Sequence, residues 1–374
     1  MKFKIKKSIL LNKLSDVAKA ISSKNIIPIL SGIKFELTKE KLILTASDND
    51  ITIETFIPVD KENLIIETTG SIIIKGRYIL DIVRKLSNEF INIEVIDGYK
   101  VLIYTENSEF NLNGINSKEY PIINLELTND PVIIDKSAFK KIINQTVFAT
   151  SLDESRIILT GVNFRINKDI LECTATDSYR LSYKKIILDN KNKEIDVIVP
   201  NRNLLELMKL VNDEDSAMEI HIFNNKIIFK FDEIIFQSRI INESGGAYPD
   251  TSKIIAEEPK FEIVINKLDF FGMIDRASIL NNDKDNNIVT LEINNKEMKI
   301  TSMSLEIGKV EEKYNIDCKN KIKISFNSKY MMDAIKALET ENIRIFFIEE
   351  IRPIIMKEED NDNLLELIQS IRTY

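Results

Sequence analysis

Apolar and polar residues follow two different periodicities along the chain. In the segment SILLNKLSDVAKAI (8–21), Leu10, Leu14 and Val17 recur at the spacing of one helix face. Ser8 stands where a helix N-cap would satisfy the first free amide groups. The segments IKFEL, KLILTA and ITIETFI instead alternate at every second position, which is typical of half-buried strands. The pattern therefore predicts helices and strands interleaved along the chain.

Several of these segments recur further along the chain. LILTASDND resembles LECTATDSY, which places Asp48 and Asp177 129 residues apart, and MKITSMSLE is a weaker copy without the aspartate. The tripeptides EYP and AYP lie 128 residues apart. Two helical patterns also return, one at 8–21, 137–150 and 267–280, the other at 75–86, 200–210 and 327–338. Agreement of several markers at nearly one period indicates an internal threefold repeat.

The content of one repeat predicts the fold class. Each copy contains a helix, strands, a second helix and further strands. We therefore predict an α+β protein of three homologous domains, each with two helices packed on mostly antiparallel sheets. The predicted boundaries are 1–125, 126–250 and 251–374. The repeat is too long for a solenoid unit and too helical for a propeller blade.

Composition and cysteine usage narrow the class of protein. The 374 residues are 44% hydrophobic and 29% charged, which is normal for globular protein and argues against wholesale disorder. Cys173 and Cys318 lie far apart and match no metal spacing, which suits a reducing compartment. Asn12 and Lys13 interrupt the first apolar run, so it is too short for a signal peptide. We expect a cytoplasmic protein.

Charge is distributed unevenly between the predicted elements. The chain has a net charge of −8, yet Lys and Arg outnumber Asp and Glu in most of the predicted helices. One basic residue recurs at the same place in each second helix, as Arg77, Arg202 and Lys329. A surface lined by such helices would attract phosphates without reading base sequence. The alternative is that the lysines simply cover exposed helix faces.

The sequence carries no recognisable catalytic motif. His221 lies on the alternating run MEIHIFNNKIIFKF, where a hydrogen-bonded strand histidine is expected rather than a base or metal ligand. The run DKDNN begins like a calcium loop but lacks the required glycine. No phosphate loop, nucleophile elbow, zinc-protease or dinucleotide fingerprint occurs. We therefore predict a protein that is not an enzyme and has no cofactor and no metal site.

The chain resembles the bacterial sliding clamps, the β subunits of DNA polymerase III holoenzyme, from end to end. The resemblance rests on IPIL (27–30), ATDSYRL (175–181), IVPNRNLLELM (198–208), AYPD (247–250), RASIL (276–280) and IRTY (371–374). It implies three similar domains that form a half-ring and a head-to-tail homodimer that encloses double-stranded DNA. The implied function is processivity without chemistry, with DNA contacts weak enough to permit sliding. The implied partners are the replicative polymerase, the clamp loader and repair proteins.

The resemblance also assigns roles to individual residues. It implies DNA contacts by Lys24, Arg77 and Arg202. It implies dimer contacts of Ile279 and Leu280 with Phe110 and Leu112. It further implies a cleft that binds short linear peptides of the QLxLF kind, with these residues in its walls: Thr176, Arg180, Leu181, Pro249, Lys253, Ile254, Pro353, Ile371 and Arg372.

The sequence departs from the family pattern at several of these positions. Ser178 stands where many relatives have glycine, and Lys24 and Lys253 replace frequent arginines. Pro353 replaces a small polar residue, and the pair at 369–370 replaces an apolar residue and a proline. The cleft is therefore expected to differ in shape and in its preferred motif.

Other interpretations remain open at the level of sequence. Taken alone, Asp177 and Ser178 indicate a turn and Arg180 an ordinary surface residue. Ile279 and Leu280 could be core residues of an amphipathic helix. The whole chain could be a three-repeat adaptor that never binds DNA, or an enzyme with an unfamiliar constellation.

Overall fold

The fold was examined in a computed structural model of the chain. The structure describes residues 1–22, 27–212, 216–242, 246–280, 287–304 and 306–372, without the side chains of residues 191, 192 and 253. Two of the predicted site residues, Lys24 and the side chain of Lys253, therefore lie outside the description.

The predicted opening helix begins one residue before Ser8. It follows directly from a strand, Lys6 is its N-cap, and no side chain caps it, so the prediction that Ser8 is the cap was wrong. Leu10, Leu14 and Val17 are buried on one face, as the helical spacing predicts. The helices in the described residues are α1 Lys7–Val17, α2 Gly76–Lys85, α3 Lys136–Thr146, α4 Asn201–Met208, α5 Ser252–Ile255, α6 Lys267–Ala277 and α7 Ser328–Ala337.

Strands make up most of the remaining described chain. In the first half they are β1 Lys2–Lys6, β2 Gly32–Leu37, β3 Lys41–Ser47, β4 Ile51–Pro58, β5 Leu64–Thr68, β6 Gly70–Lys75, β7 Phe90–Ile96, β8 Lys100–Tyr104, β9 Glu109–Asn113, β10 Val132–Asp135, β11 Gly161–Thr176 and β12 Arg180–Pro200. In the second half they are β13 Ala217–Ile222, β14 Lys226–Phe231, β15 Ile234–Arg239, β16 Phe261–Asn266, β17 Ile288–Asn294, β18 Glu297–Ser304, β19 Gly308–Asn315, β20 Lys321–Asn327, β21 Asn342–Phe347, β22 Ile354–Glu358 and β23 Leu364–Ile368.

The chain divides into two compact units, and the first contains 1–137 and 202–240. Its strands form a five-stranded sheet, β5-β1-β7-β8-β9, and an eight-stranded sheet, β10-β13-β14-β15-β4-β3-β2-β6. The eight-stranded sheet is continuous because β15 pairs antiparallel with β4. This pairing satisfies a strand edge that the β3–β4 hairpin would otherwise leave open.

The second unit contains 138–201 and 241–374. Its strands form a six-stranded sheet, β11-β12-β23-β22-β21-β16, and a four-stranded sheet, β19-β18-β17-β20. Here β12 pairs antiparallel with β23, just as β4 pairs with β15 in the first unit. Helices α6 and α7 bury apolar residues such as Phe270, Met331 and Ile335 in the core of this unit.

All strand pairs in the described sheets are antiparallel, as predicted for an α+β fold. Both joining pairs cross a predicted domain boundary, β4 with β15 and β12 with β23. The boundaries at 125 and 250 therefore remain a prediction.

The described residues contain neither a membrane-spanning helix nor a cluster of metal ligands. Within them, no helix combines the length and apolar content that crossing a bilayer requires. In the same ranges, no group of three or more His, Cys, Asp or Glu side chains could hold a metal ion. His221 is buried on β13, where its ring nitrogens contact Asn129 and Glu219, in agreement with the structural role predicted for it.

Candidate functional site

The segment TDSYR forms a tight turn between β11 and β12. Asp177 Oδ1 accepts hydrogen bonds from the backbone N–H groups of Tyr179 (2.9 Å) and Arg180 (3.0 Å). Thr176 Oγ1 donates to the carbonyl of Arg180 (2.6 Å) and accepts from the N–H of Ser178 (3.1 Å). Ser178 has a φ of 81°, in the left-handed region that glycine adopts at least cost. The turn geometry thus favours glycine at this position, where the chain has serine.

Arg180 leaves this turn with a fixed and largely buried side chain. Its Nε donates to Asp177 Oδ2 (3.0 Å), and its NH1 donates to Asp333 Oδ2 (2.8 Å). The guanidinium carbon lies 4.4 Å from the ring centroid of Tyr330 and 5.5 Å from that of Phe148. Only 12% of the side chain is exposed, so the interpretation of Arg180 as an ordinary surface residue was wrong. The two carboxylates and two rings hold the guanidinium plane in one orientation.

An apolar cluster adjoins this arginine. Leu181 is 4% exposed and pairs in register with Leu367 of β23. The cluster also contains Ile255 of α5, next to Ile254, which is 41% exposed. The buried members of the cluster are Leu181, Phe346, Ile348, Ile355, Leu365 and Leu367. Because Ile254 exposes apolar surface beside this cluster, the region offers the kind of anchor point that a short peptide uses.

Backbone hydrogen bonds tie neighbouring segments to the same region. The Tyr248 hydroxyl donates to the carbonyl of Thr174 (3.2 Å), which holds the half-buried Pro249 close to the end of β11. The N–H of Gln369 donates to the carbonyl of Tyr179 (2.8 Å). After it, the N–H of Ile371 donates to the carbonyl of Ser325 (2.7 Å).

The structure therefore brings several predicted cleft residues to one region of the second unit. Thr176, Arg180 and Leu181 lie on the β11–β12 hairpin, and Ile254 lies on the adjoining helix α5. Pro353 is buried directly before β22, whose first residue faces Ile368 across the sheet. Ile371 is half-buried and Arg372 is exposed.

Sequence reasoning missed the residues that orient Arg180. Asp333 and Tyr330 lie on α7, and Phe148 lies in the turn after α3, all more than thirty residues from Arg180 along the chain. The only available signal was the repeated acid after the apolar core of each second helix, as in MMDAIKAL (331–338). That pattern gives no partner for the acid.

The buried pair Ser182 and Glu366 lies directly beneath this region. Ser182 Oγ is 2.6 Å from the carbonyl of Gln145 and 2.8 Å from Glu366 Oε1. Burial raises the pKa of the Glu366 carboxyl well above its usual range, and Ser182, Arg180 and Lys184 oppose that rise. Since one hydroxyl has one proton, a protonated Glu366 can donate to Ser182 while Ser182 donates to Gln145.

The other predicted site residues occupy exposed elements. Arg77 is exposed on α2, and Arg202 is exposed on α4, where its NH2 lies 3.5 Å from Asp48 Oδ2. Ile279 is 74% exposed directly after α6, so the interpretation of Ile279 as a core residue was wrong. Leu280 is half-buried.

The predicted partners of this pair lie on an edge strand. β9 closes one side of the five-stranded sheet, and on it Phe110 is 37% exposed and Leu112 is half-buried. An edge strand with exposed apolar residues can pair with a second chain.

Comparison with known protein families gives three consecutive matches. The profile of the DNA polymerase III beta subunit N-terminal domain matches residues 1–125. The central-domain profile matches 133–250. The C-terminal-domain profile matches 252–372.

Individual proteins match over the whole chain. The beta sliding clamp of Staphylococcus epidermidis is 39% identical over 379 aligned positions that cover 100% of both chains. The crystal structure of the DNA polymerase sliding clamp from Bacillus subtilis is 40% identical, with a TM-score of 0.96 and full coverage of both chains. A Pseudomonas aeruginosa sliding clamp, crystallised with griselimycin, has the same fold with a TM-score of 0.93 at 24% identity.

Proposed function

The chain belongs to the family of DNA polymerase III beta subunits, the beta sliding clamps, and on this premise we propose how its residues perform that role. Membership confirms the predicted α+β fold of three homologous clamp domains. It also confirms the prediction of a non-catalytic processivity factor, in place of an adaptor or an enzyme.

We propose that two copies close head to tail into a ring around duplex DNA, in the cytoplasm. In this proposal each copy contributes domains 1–125, 126–250 and 251–374. A ring holds DNA by topology, so its direct contacts can stay weak. Arg77 and Arg202, both exposed on helices, and Lys24 are the proposed contacts to phosphates. Such contacts are insensitive to base sequence and weaken as salt rises.

The proposed ring closes through apolar contacts between the third domain of one copy and the first domain of the other. Ile279 and Leu280 of one copy are proposed to pack on Phe110 and Leu112 of the other. Because one end differs from the other, the interface is heterologous and must either close into a ring or grow into a filament.

The closure is tested by the variant Ile279→Ala/Leu280→Ala. It is expected to be a folded monomer by light scattering, whereas the wild type is a dimer whose X-ray scattering is that of a hollow ring. Leu268→Ala is the matched control, because Leu268 is also 74% exposed and lies on α6, the helix that precedes Ile279. A double variant that remains dimeric would remove these residues from the interface.

The proposed tethering site is the cleft around Arg180 in the second unit. Two observations support it. The guanidinium of Arg180 is held in place beside an apolar cluster, and the exposed Ile254 adjoins that cluster. We propose that a short linear motif of the replicative polymerase, the clamp loader or a repair protein inserts its apolar side chains against Leu181. Pro249, Lys253, Pro353, Ile371 and Arg372 complete the proposed walls.

Binding of a fluorescent QLxLF peptide tests this assignment. Arg180→Ala is expected to weaken binding roughly tenfold, and so is deletion of residues 371–374. Arg165→Ala is the control, because Arg165 lies on the same hairpin and is 52% exposed in an ion pair with Asp196. Unchanged affinity in both test variants would refute the cleft.

A further inference from the structure

In the first unit, the pairing of β15 with β4 repeats the pairing of β23 with β12 that carries the cleft. We call these two strand pairs the first and the second junction. At the first junction the N–H of Arg239 donates to the carbonyl of Asp50 (2.9 Å), as the N–H of Gln369 donates to Tyr179 in the second unit (2.8 Å). The joining strands also match in register, since Ser238 faces Ile51 as Ile368 faces Arg180.

A cavity of about 270 Å³ lies beside this junction. The β3–β4 turn, residues 121–124 and the strands β14 and β15 line it. Its wall combines the apolar side chains of Leu30, Pro121 and Ile123 with two cations, Lys226 and Arg239. Ile122, another lining residue, is fully exposed.

Neither cation forms an ion pair within the described ranges, where no carboxylate oxygen lies within 4.0 Å of Lys226 or Arg239. Glu126 interacts electrostatically with Lys226 from a greater distance. Lys226 Nζ donates to the carbonyl of Asn124, and Arg239 NH2 donates to Asn49 Oδ1 (3.0 Å). Both partners are neutral, so an incoming anion would gain a charge-assisted hydrogen bond.

The cations and the apolar wall together define what the cavity could bind. Gln237 also lines the cavity, but its Oε1 atom is buried and does not face a ligand. The cavity thus presents donors for a carboxylate beside an apolar wall.

We propose that this cavity is a second ligand site that binds a short acidic peptide. The carboxylate lies against Lys226 and Arg239, and an apolar side chain packs on Pro121 and Ile123. The cleft at Arg180 differs in charge, because Asp177 and Asp333 already neutralise that arginine. The two junctions therefore share a backbone frame and select different peptides.

Calorimetric titration of the full chain with two peptides tests the proposal. Both probes have an acetylated N-terminus: the acidic probe is Gln-Leu-Asp-Leu-Phe with a free C-terminus, and the neutral probe is Gln-Leu-Asn-Leu-Phe with an amidated C-terminus. The acidic probe is expected to bind at two sites per chain and the neutral probe at one. Arg239→Glu and Lys226→Glu are each expected to abolish the second event and to leave the first unchanged.

Arg84→Glu is the matched control, since it makes the same charge change on another exposed arginine of the first unit. Arg180→Ala separates the two sites. If it abolishes one event and Arg239→Glu the other, both proposals stand. If only Arg239→Glu has an effect, the second site stands and the cleft fails. Acidic binding that is the same in wild type, Arg239→Glu and Lys226→Glu, or absent from all three, would overturn the second site.

Discussion

The turns at residues 47–51 and 176–180 have the same backbone and different chemistry. Asp48 Oδ1 accepts from the N–H groups of Asp50 (3.0 Å) and Ile51 (2.9 Å), the same pair of bonds that Asp177 accepts in the second turn. Ser47 Oγ donates to the carbonyl of Ile51 (2.9 Å), in the place of Thr176. The third residue is left-handed in both turns, with φ of 82° at Asn49 and 81° at Ser178.

The turns differ at the residue that begins the second strand. Ile51 is 3% exposed in the core of the first unit, whereas Arg180 extends to Asp177 and Asp333. Two positions further on, the difference repeats. Ile53 faces Phe236 across the first junction, and Ser182 faces Glu366 across the second. The same hydrogen-bonded turn can therefore be kept while the side chains around it are exchanged, so one repeated turn has two different chemical surroundings.

The largest change in stability is expected from exchanging Ile51 and Arg180, the residues that begin the strand after each turn. Ile51→Arg would force a guanidinium into the space that a 3%-exposed isoleucine fills in the core, at a cost of about 3–5 kcal/mol even with Asp48 in the same turn. Arg180→Ile would break the ion pairs with Asp333, which is 42% exposed and can be hydrated, and with Asp177, which keeps its two backbone N–H donors. Its cost should be smaller, about 2–3 kcal/mol. Hydrogen exchange across each hairpin measures the two effects locally.

Ile51→Val is the control for disturbance of packing without charge. Equal losses of protection in Ile51→Arg and Arg180→Ile would contradict the comparison, because they would mean that the two junctions tolerate charge alike.

Much of this frame could be predicted from the sequence. Aligning Asp48 with Asp177 gave the right register, since the two aspartates make the same pair of backbone bonds. The buried face of α1 followed from its spacing. Both succeed because short-range hydrogen bonding and helical periodicity are local properties.

The surroundings of Arg180 could not be predicted in the same way. Asp333 reaches it across 153 positions of sequence, and no local pattern states that pairing. The start of α1 was also misjudged, because β1 runs directly into the helix and leaves no capping position for Ser8. Long-range contacts and element junctions depend on packing that a single sequence does not express.

The next largest effect is a pH-dependent change in melting temperature. It distinguishes the pair Ser182–Glu366 at the second junction from the pair Ile53–Phe236 at the first. Burial raises the pKa of Glu366, so the folded state holds a proton that the unfolded state releases. The stability from this group is complete below the unfolded pKa and is lost as pH rises through the folded pKa. Glu366→Gln keeps the shape without the titration. Wild-type melting temperature should therefore fall relative to Glu366→Gln as pH rises above the unfolded pKa of about 4.3.

The first junction supplies the contrast for this experiment. Ile53 and Phe236 do not titrate, so Phe236→Leu should shift the melting temperature by the same amount at every pH. A constant difference between wild type and Glu366→Gln over the same range would mean that Glu366 does not titrate there.

The smallest effect is expected from the left-handed residues. Asparagine tolerates this conformation better than serine, because its side chain hydrogen-bonds locally. Glycine removes the strain at either site but costs entropy in the unfolded chain. Ser178→Gly should therefore stabilise the protein by about 0.5 kcal/mol. Loss of the exposed hydrogen bond that Arg156 donates to Ser178 will offset part of that gain. Asn49→Gly should change stability by less, which denaturation of both variants beside wild type would measure. A larger gain at Asn49 than at Ser178 would show that backbone strain is not what distinguishes the two turns.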